Sequence, residues 1–301
     1  MTTGSNRPPG ALPSETHVGH IRLRVPDIER SLSFYRDLLG FRLVTEDPGD
    51  VVLSASGHAP YHILLSGDPS AAPRPPRTTG LYHLAIRFPD RPALASLLAR
   101  LLEHGWPLHG ASDHGVSEAI YLADPDGNGI ELYVDRPRST WRRVGGQIAM
   151  TTERLDFEGL LAEAGHERRV RWQIDPATDL GHIHLQVSDL GRAERFYTTL
   201  GLEVTQRSYP GALFLSAGGY HHHVGLNVWA SQGAPAPPPG ARGLVSFSLV
   251  LPDDDSLGDL VGRLQRVEVG PAQRLNHGSA RGLLVHDPDG IGIELLVLQD
   301  S

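Results

Sequence analysis

The sequence predicts an α+β fold built from four βαβββ modules in two tandem pairs. Short segments of alternating apolar and polar residues are separated by segments whose apolar residues recur at the spacing of one helix face. One hairpin sequence also occurs twice. Residues 114–135 read HGVSEAIYLADPDGNGIELYVD, and residues 286–297 read HDPDGIGIELLV. Because a related hairpin ends each half of the chain, the pattern indicates an internal duplication.

The first copy of the hairpin has a strand on each side of a tight turn. Ile120 and Leu122 alternate with their neighbours before the turn, and Ile130 does so after it, as in half-buried strands. Residues 124–129 are Pro, Gly, Asn and Asp, which favour turns. Glu131 follows directly in an apolar strand, where an acid is costly to bury unless it has a partner.

We expect a flexible arm at residues 1–16 before the first module, because this stretch is rich in Pro, Gly and Ser. Residues 17–25 alternate in polarity and predict a strand. Asp27 is a suitable N-cap for the next helix, and Gly40 is a suitable end for it. Three short strands then complete the module, at about residues 41–46, 51–55 and 61–66.

The second module repeats this order after a Pro-rich linker. Residues 81–88 predict a strand, Asp90 caps a helix, and the hairpin follows. We therefore predict an N-terminal paired-module domain over residues 17–135. Residues 136–180 lie outside the repeat and are predicted to connect two domains.

The second half of the chain copies the first. GHIHLQVSDL at residues 181–190 matches GHIRLRVPDI at residues 19–28, and a fourth module occupies residues 243–297. The sequence thus predicts a C-terminal paired-module domain over residues 181–301.

Composition excludes several classes of function. The net charge is −8 and the pI is about 6.0, which does not suit a nucleic-acid-binding protein. No apolar run is long enough to span a bilayer. The absence of cysteine excludes disulfides, thiolate metal sites and cysteine nucleophiles. The polar N-terminus lacks a signal-peptide core, so we expect a cytoplasmic protein.

Histidines on the first strands of the modules stand at a constant spacing. His20 lies seven residues before Asp27, and His83 lies seven residues before Asp90. With the DPDGNGIEL hairpin, this pattern resembles the vicinal oxygen chelate superfamily of glyoxalase I, bleomycin-resistance proteins and type I extradiol dioxygenases. The chain is most similar to the two-domain, catechol-2,3-dioxygenase-like branch. The resemblance implies that each module pair forms an open β-barrel with its helices outside.

The resemblance also implies a divalent metal, Fe(II) or Mn(II), held by two His and one Glu. In the N-terminal half, the matching residues are His20, His83 and Glu131. The C-terminal half has His182 and Glu294 at matching positions, but Ser246 replaces the second histidine and is a poor ligand for iron. We therefore expect the metal in the N-terminal domain and a degenerate site in the C-terminal domain.

Extradiol ring cleavage needs acid and base groups beside the metal. By the same resemblance, His62, His114 and Tyr121 match the family positions that supply them. The three consecutive histidines at 221–223 are interpreted as structural or surface residues, because neighbouring strand residues point to opposite faces and do not easily share one ion.

The expected function is extradiol cleavage of a catechol- or hydroquinone-type aromatic by O₂, in a protein that the resemblance implies to be a homodimer. One alternative is a metal-free protein that sequesters aromatic antibiotics in the same barrel. A glyoxalase-type isomerase is a weaker alternative, since it commonly needs a further Glu on the last strand of the first module. That strand, residues 61–67, reads YHILLSG and has no acid.

Overall fold

The computed structural model describes residues 10–47, 49–164, 172–266, 272–277 and 280–299. Four βαβββ modules follow one another along the described chain, which confirms the predicted α+β fold. The first module comprises β1 (His17–Val25), α1 (Ile28–Leu32), a π-helical turn (Ser33–Leu38), β2 (Arg42–Asp47), β3 (Asp50–Ser54) and β4 (Ile63–Gly67). The second comprises β5 (Gly80–Phe88), α2 (Arg91–Glu103), β6 (Leu108–Asp113), β7 (Ser117–Ala123) and β8 (Gly129–Asp135).

A connection of short elements leads into the second half. It contains a 3₁₀ turn (Arg138–Thr140), β9 (Arg143–Val144), β10 (Gln147–Ile148) and α3 (Phe157–Ala162). The third module comprises β11 (Asp179–Gln186), α4 (Leu190–Leu200), β12 (Glu203–Gln206), β13 (Ala212–Ser216) and β14 (Val224–Asn227). The fourth comprises β15 (Gly243–Leu251), α5 (Asp254–Arg266), β16 (Gln273–His277), β17 (Ala280–His286) and β18 (Gly292–Leu298).

The modules combine into two eight-stranded sheets. The outer-module sheet joins the fourth and first modules in the order β16-β17-β18-β15-β1-β4-β3-β2. The inner-module sheet joins the third and second modules in the order β12-β13-β14-β11-β5-β8-β7-β6. Both sheets have two edge strands and are open.

This pairing corrects the domain organisation predicted from the sequence. The two modules within residues 17–135 were expected to pair with each other, as were the two modules within residues 181–301. Instead, β1 of the first module lies antiparallel to β15 of the fourth, and β5 of the second lies antiparallel to β11 of the third. The physical reason is that the first strand of every module offers an equivalent edge. A repeat reveals that these edges exist, but it does not determine which two edges meet.

The helices begin and end where their capping residues predict. Asp90 accepts a hydrogen bond from the backbone N–H of Ala93 and caps α2, which buries Leu94, Leu97, Leu98 and Leu101. Asp189 caps α4 in the same way, and Gly201 ends it with φ of +100°, a conformation that favours glycine. No helix among the described residues is both long and apolar enough to cross a membrane.

The two DPDG turns connect the modules through buried carboxylates. Asp124 accepts hydrogen bonds from two backbone N–H groups of its own turn and from the Tyr35 hydroxyl, 2.9 Å away in the first module. Asp287 repeats this with Tyr197, and burial raises the pKa of Asp287 to about 6. These aspartates are therefore turn formers, as predicted, and they also position the hairpins against the helices.

Candidate metal centre

Three ligand-type side chains meet on the central strands of the inner-module sheet. His83 lies on β5, Glu131 on β8 and His182 on β11. Ala85 of β5 is opposite Glu131 on one side and opposite His182 on the other. Side chains that share a register position in adjacent strands lie on one face, and His83 lies on the same face because it is two residues before Ala85. This register therefore brings the three residues together.

The three side chains direct their donor atoms at one point. Oε2 of Glu131 lies 2.9 Å from Nε2 of His83 and 3.2 Å from Nε2 of His182. All three residues are buried, and their donor atoms lie within 4.8 Å of one another. Donors that bind one metal at about 2.1 Å and at right angles are about 3 Å apart. The spacing therefore fits a shared metal ion.

The Nε2 atom of His83 provides a second test of fit. It is buried and makes no hydrogen bond, although it lies close to the Glu131 carboxylate. A buried polar atom without a hydrogen-bond partner is costly in a folded protein. A metal ion would satisfy this atom, so the two imidazoles and one carboxylate suit a divalent transition metal.

The electrostatics of the centre favour the ligand forms of these groups. Burial raises the pKa of Glu131, but His182 and His83 outweigh burial and hold that pKa well below its usual value. Burial lowers the pKa of His182 to about 4, against the opposing influence of Glu131. At neutral pH the centre thus offers a carboxylate and an imidazole lone pair, which metal binding requires.

The prediction that His20 joins His83 and Glu131 is corrected by the structure. His20 lies in the outer-module sheet, where its Nε2 is 3.1 Å from Oε2 of Glu294. Ser246 donates a hydrogen bond to the other carboxylate oxygen of Glu294 at 2.6 Å. Because the first module pairs with the fourth, His20 meets Glu294 instead of Glu131. The outer-module sheet thus repeats the centre with a serine in place of one imidazole.

A cavity of about 510 Å³ opens beside the metal centre. Strands of the second and third modules and residues 150–152 of the connection form its walls. Its aromatic, imidazole and carboxylate lining comprises Tyr82, His83, His109, His114, Tyr121, Glu131, His184, Tyr209, Phe214, His222 and Trp229. This volume is in the range of small-molecule sites.

His114 and Tyr121 both line this cavity, as expected for two of the predicted acid–base residues. Nε2 of His114 lies 2.6 Å from the Tyr121 hydroxyl, and Nδ1 lies 2.7 Å from the Thr151 carbonyl oxygen. A carbonyl oxygen only accepts, so Nδ1 carries the hydrogen, and in the tautomer with hydrogen on Nδ1 alone Nε2 accepts from the Tyr121 hydroxyl. Burial and the charge of Glu131 raise the pKa of Tyr121 well above its usual value.

His62, the third predicted acid–base residue, is placed elsewhere and that prediction is corrected. It lies in the outer-module sheet just before β4, where its Nδ1 accepts a hydrogen bond from the backbone N–H of Ala55. His223 makes the same contact with Ala217 in the third module. The recurrence of this contact identifies a scaffold feature of the module and not a group of the cavity.

This placement predicts that His62→Asn changes the pH dependence of the unfolding free energy. The Asn oxygen can replace Nδ1 as the hydrogen-bond acceptor, so the variant keeps the contact without the imidazole. Burial lowers the pKa of His62 to about 4, below its ordinary value of 6.5. The neutral ring therefore stabilises the fold above pH 6.5, and this stability is lost as pH falls towards 4. When the pH falls from 7.5 to 5, the unfolding free energy should decrease in both proteins. We expect this decrease to be about 2 kcal/mol smaller in the variant than in the wild type.

Urea unfolding at both pH values measures this difference. The exposed His286 provides a matched control, since His286→Asn should leave the pH dependence unchanged. An unchanged pH dependence in His62→Asn would contradict the scaffold assignment.

His222 and His184 are among the cavity residues that the sequence analysis did not predict. His222 lines the cavity, and its Nδ1 lies 2.8 Å from Nδ1 of His221, whose Nε2 lies 2.9 Å from Asp135. The structural interpretation of residues 221–223 assumed strand alternation, but β14 begins only at Val224. The other residue is His184. It lies two residues after His182, and residues i and i+2 of a strand share a face, so this spacing was the available signal for it.

The chain is similar in sequence to one protein family and to known enzymes. The family model described as Glyoxalase/Bleomycin resistance protein/Dioxygenase superfamily matches residues 17–132 and 179–295. A catechol-2,3-dioxygenase of Bacillus subtilis is 49% identical over 256 residues, which cover 83% of this chain and 88% of that protein. A biphenyl-2,3-diol 1,2-dioxygenase of Rhodococcus globerulus is 31% identical over 39% of this chain and 63% of its own length.

A solved structure supports the same fold at low sequence identity. Glyoxalase I from Zea mays matches with a TM-score of 0.55 and 16% identity, over 94% of this chain and 92% of that one. At this identity, the likeness concerns the arrangement of the modules and not the reaction.

Proposed function

Since the chain belongs to the Glyoxalase/Bleomycin resistance protein/Dioxygenase superfamily, we propose that it cleaves a catechol- or hydroquinone-type aromatic ring with O₂, as an extradiol dioxygenase. The observation that carries this proposal is the convergence of His83, Glu131 and His182 beside the cavity that holds His114 and Tyr121. The 49% identity to a catechol-2,3-dioxygenase supports a catechol as the substrate.

In this proposal His83, Glu131 and His182 hold Fe(II) or Mn(II). A metal held there would supply sites for the diol oxygens and O₂ and a route for electrons between them. The protein residues contribute binding, orientation and proton transfer. A cytoplasmic location and a homodimer remain predictions from the sequence.

His114 and Tyr121 act in the proposal as a proton-transfer pair. The Thr151 carbonyl fixes the hydrogen of His114 on Nδ1, so Nε2 presents its lone pair to the Tyr121 hydroxyl. With its raised pKa, Tyr121 stays protonated and donates. A substrate hydroxyl that donates to the Tyr121 oxygen can therefore pass its proton to Tyr121 while Tyr121 passes its own proton to Nε2 of His114.

His222, which also lines the cavity, is the proposed second base. In this proposal Nε2–H of His221 donates to the Asp135 carboxylate, and Nδ1 of His221 accepts from Nδ1–H of His222. Nε2 of His222 then carries a lone pair. This residue takes the acid–base role that the sequence assigned to His62.

The proposal is tested on protein purified anaerobically, loaded with Fe(II) and desalted. We expect about one metal per chain, O₂ consumption equal to catechol consumption, and a ring-opened product with an aldehyde that NMR detects. Mn(II) loading under the same conditions compares the two metals. Absence of bound metal together with absence of O₂ uptake would contradict the proposal, and tight binding of an aromatic antibiotic would then identify a sequestering protein.

A further inference from the structure

We propose that this cavity selects catechols that carry an uncharged, apolar ring substituent, and that Trp229 and Tyr82 determine this selectivity. The inference rests on the proposed function, since it concerns the same cavity. It follows from three properties of the lining: a continuous aromatic surface, the absence of a fixed cation, and a volume larger than one ring.

The aromatic surface begins next to the metal centre and extends outwards. Tyr82 precedes the ligand His83, and its ring centroid lies 5.3 Å from that of Trp229. Trp229 lies 6.1 Å from Tyr209, which lies 6.2 Å from Phe214. We call Tyr82, Tyr209, Phe214 and Trp229 the aromatic wall, and all four line the cavity. At these spacings the four rings contact one another and form a continuous aromatic surface.

Two members of the aromatic wall are incompletely buried. Trp229 is 47% exposed and Tyr82 is 41% exposed, although both are large apolar side chains. The indole N–H of Trp229 already donates to the Pro210 carbonyl at 2.9 Å, so its hydrogen-bonding capacity is used within the protein. The exposed ring surface can therefore gain stability from an apolar ligand group by leaving water.

The lining lacks a fixed positive charge. The chain contains no lysine, and no arginine is present among the described residues that line the cavity. A carboxylate substituent would lose its hydration against the aromatic wall without gaining an ion pair, which is unfavourable. The cavity should therefore discriminate against anionic catechols.

The volume leaves room for a substituent. An apolar cavity of roughly 150 Å³ is enough for benzene, whereas this cavity measures about 510 Å³. Met150, another lining residue, adds a flexible apolar side chain that adapts to ligands of different shape. A single dihydroxybenzene ring at the metal centre therefore leaves space along the aromatic wall.

Two catechols of similar size and different charge test the inference. 4-Isobutylcatechol carries an apolar branch where 3,4-dihydroxyphenylacetate carries a carboxylate. For the Fe(II)-loaded protein, we expect kcat/KM for 4-isobutylcatechol to exceed that for catechol about tenfold, and that for the anionic compound about a hundredfold. Similar kcat/KM values for the two substituted catechols would overturn the inference.

Variants locate the selectivity on the wall. Trp229→Leu should reduce the preference for 4-isobutylcatechol over catechol about tenfold, through KM. Trp229→Arg should raise kcat/KM for 3,4-dihydroxyphenylacetate about tenfold. Tyr61→Leu removes an exposed aromatic side chain that does not line the cavity and should leave the preference unchanged. An unchanged preference in Trp229→Leu would overturn the assignment.

Anaerobic calorimetric titration separates this inference from the proposed function, because it measures binding without turnover. Tighter binding of 4-isobutylcatechol than of 3,4-dihydroxyphenylacetate, reduced in Trp229→Leu, supports the inference even if no catechol is cleaved, and only the proposed function then fails. Cleavage of catechol with equal binding of the two derivatives overturns the inference and leaves the proposed function intact.

Discussion

The His182→Ala variant is expected to lose bound iron and ring cleavage, whereas His20→Ala retains both. The two histidines occupy equivalent positions, seven residues before the caps Asp189 and Asp27. Only His182 meets a second imidazole and a buried carboxylate. Removing a metal ligand or a group required for catalysis commonly costs two or more powers of ten in rate, so we expect kcat to fall by at least about a hundredfold.

Metal analysis after anaerobic Fe(II) loading, together with O₂ uptake on catechol, measures this difference. Circular dichroism and thermal unfolding of the two variants control for folding. Loss of iron in His20→Ala with retention in His182→Ala would contradict the structure's placement of the centre and restore the triad predicted from the sequence.

The Ser246→His variant is expected to bind a second metal ion in the outer-module sheet. Ser246 is opposite Gly292 of β18, as His83 is opposite Gly129 of β8. The remaining pair also matches, since Nε2 of His20 lies 3.1 Å from Glu294 and Nε2 of His182 lies 3.2 Å from Glu131. The two sites therefore differ by one imidazole. Adding this imidazole through Ser246→His should raise the metal content from about one to about two ions per chain.

Titration of the metal-free variant with Fe(II) or Mn(II) measures this stoichiometry. Ser246→Ala is the matched control, because it removes the hydroxyl without adding a ligand. Adding Glu294→Ala to Ser246→His should abolish the second ion. A folded Ser246→His protein that still binds a single ion would contradict the equivalence of the two sites.

Local features of the fold could be predicted from the sequence because neighbouring residues determine them. Alternation identified the strands of each hairpin, and Asp caps identified the helix starts at Asp27 and Asp90. The resemblance to the catechol-2,3-dioxygenase-like branch is confirmed by the 49% identity. The roles of His83, Glu131, His114 and Tyr121 stay predictions, although the structure gathers these residues at one cavity.

The partner of Glu131 could not be predicted, because it depends on contact between distant strands. His20 and His182 have the same local sequence context, and only the pairing of β11 with β5 selects His182. His222 was missed for a related reason. Its direction depends on the bend before β14, which interrupts the strand periodicity that the interpretation assumed.

The pairing of outer with outer and inner with inner modules has a consequence for how the chain folds during synthesis. His182 and Glu131 are 51 residues apart, whereas His20 and Ser248 are 228 residues apart. Because closing a longer loop costs more entropy, the inner sheet can form first and carry the complete metal centre. Until the last module leaves the ribosome, β1 keeps an unpaired edge, which is a site for aggregation.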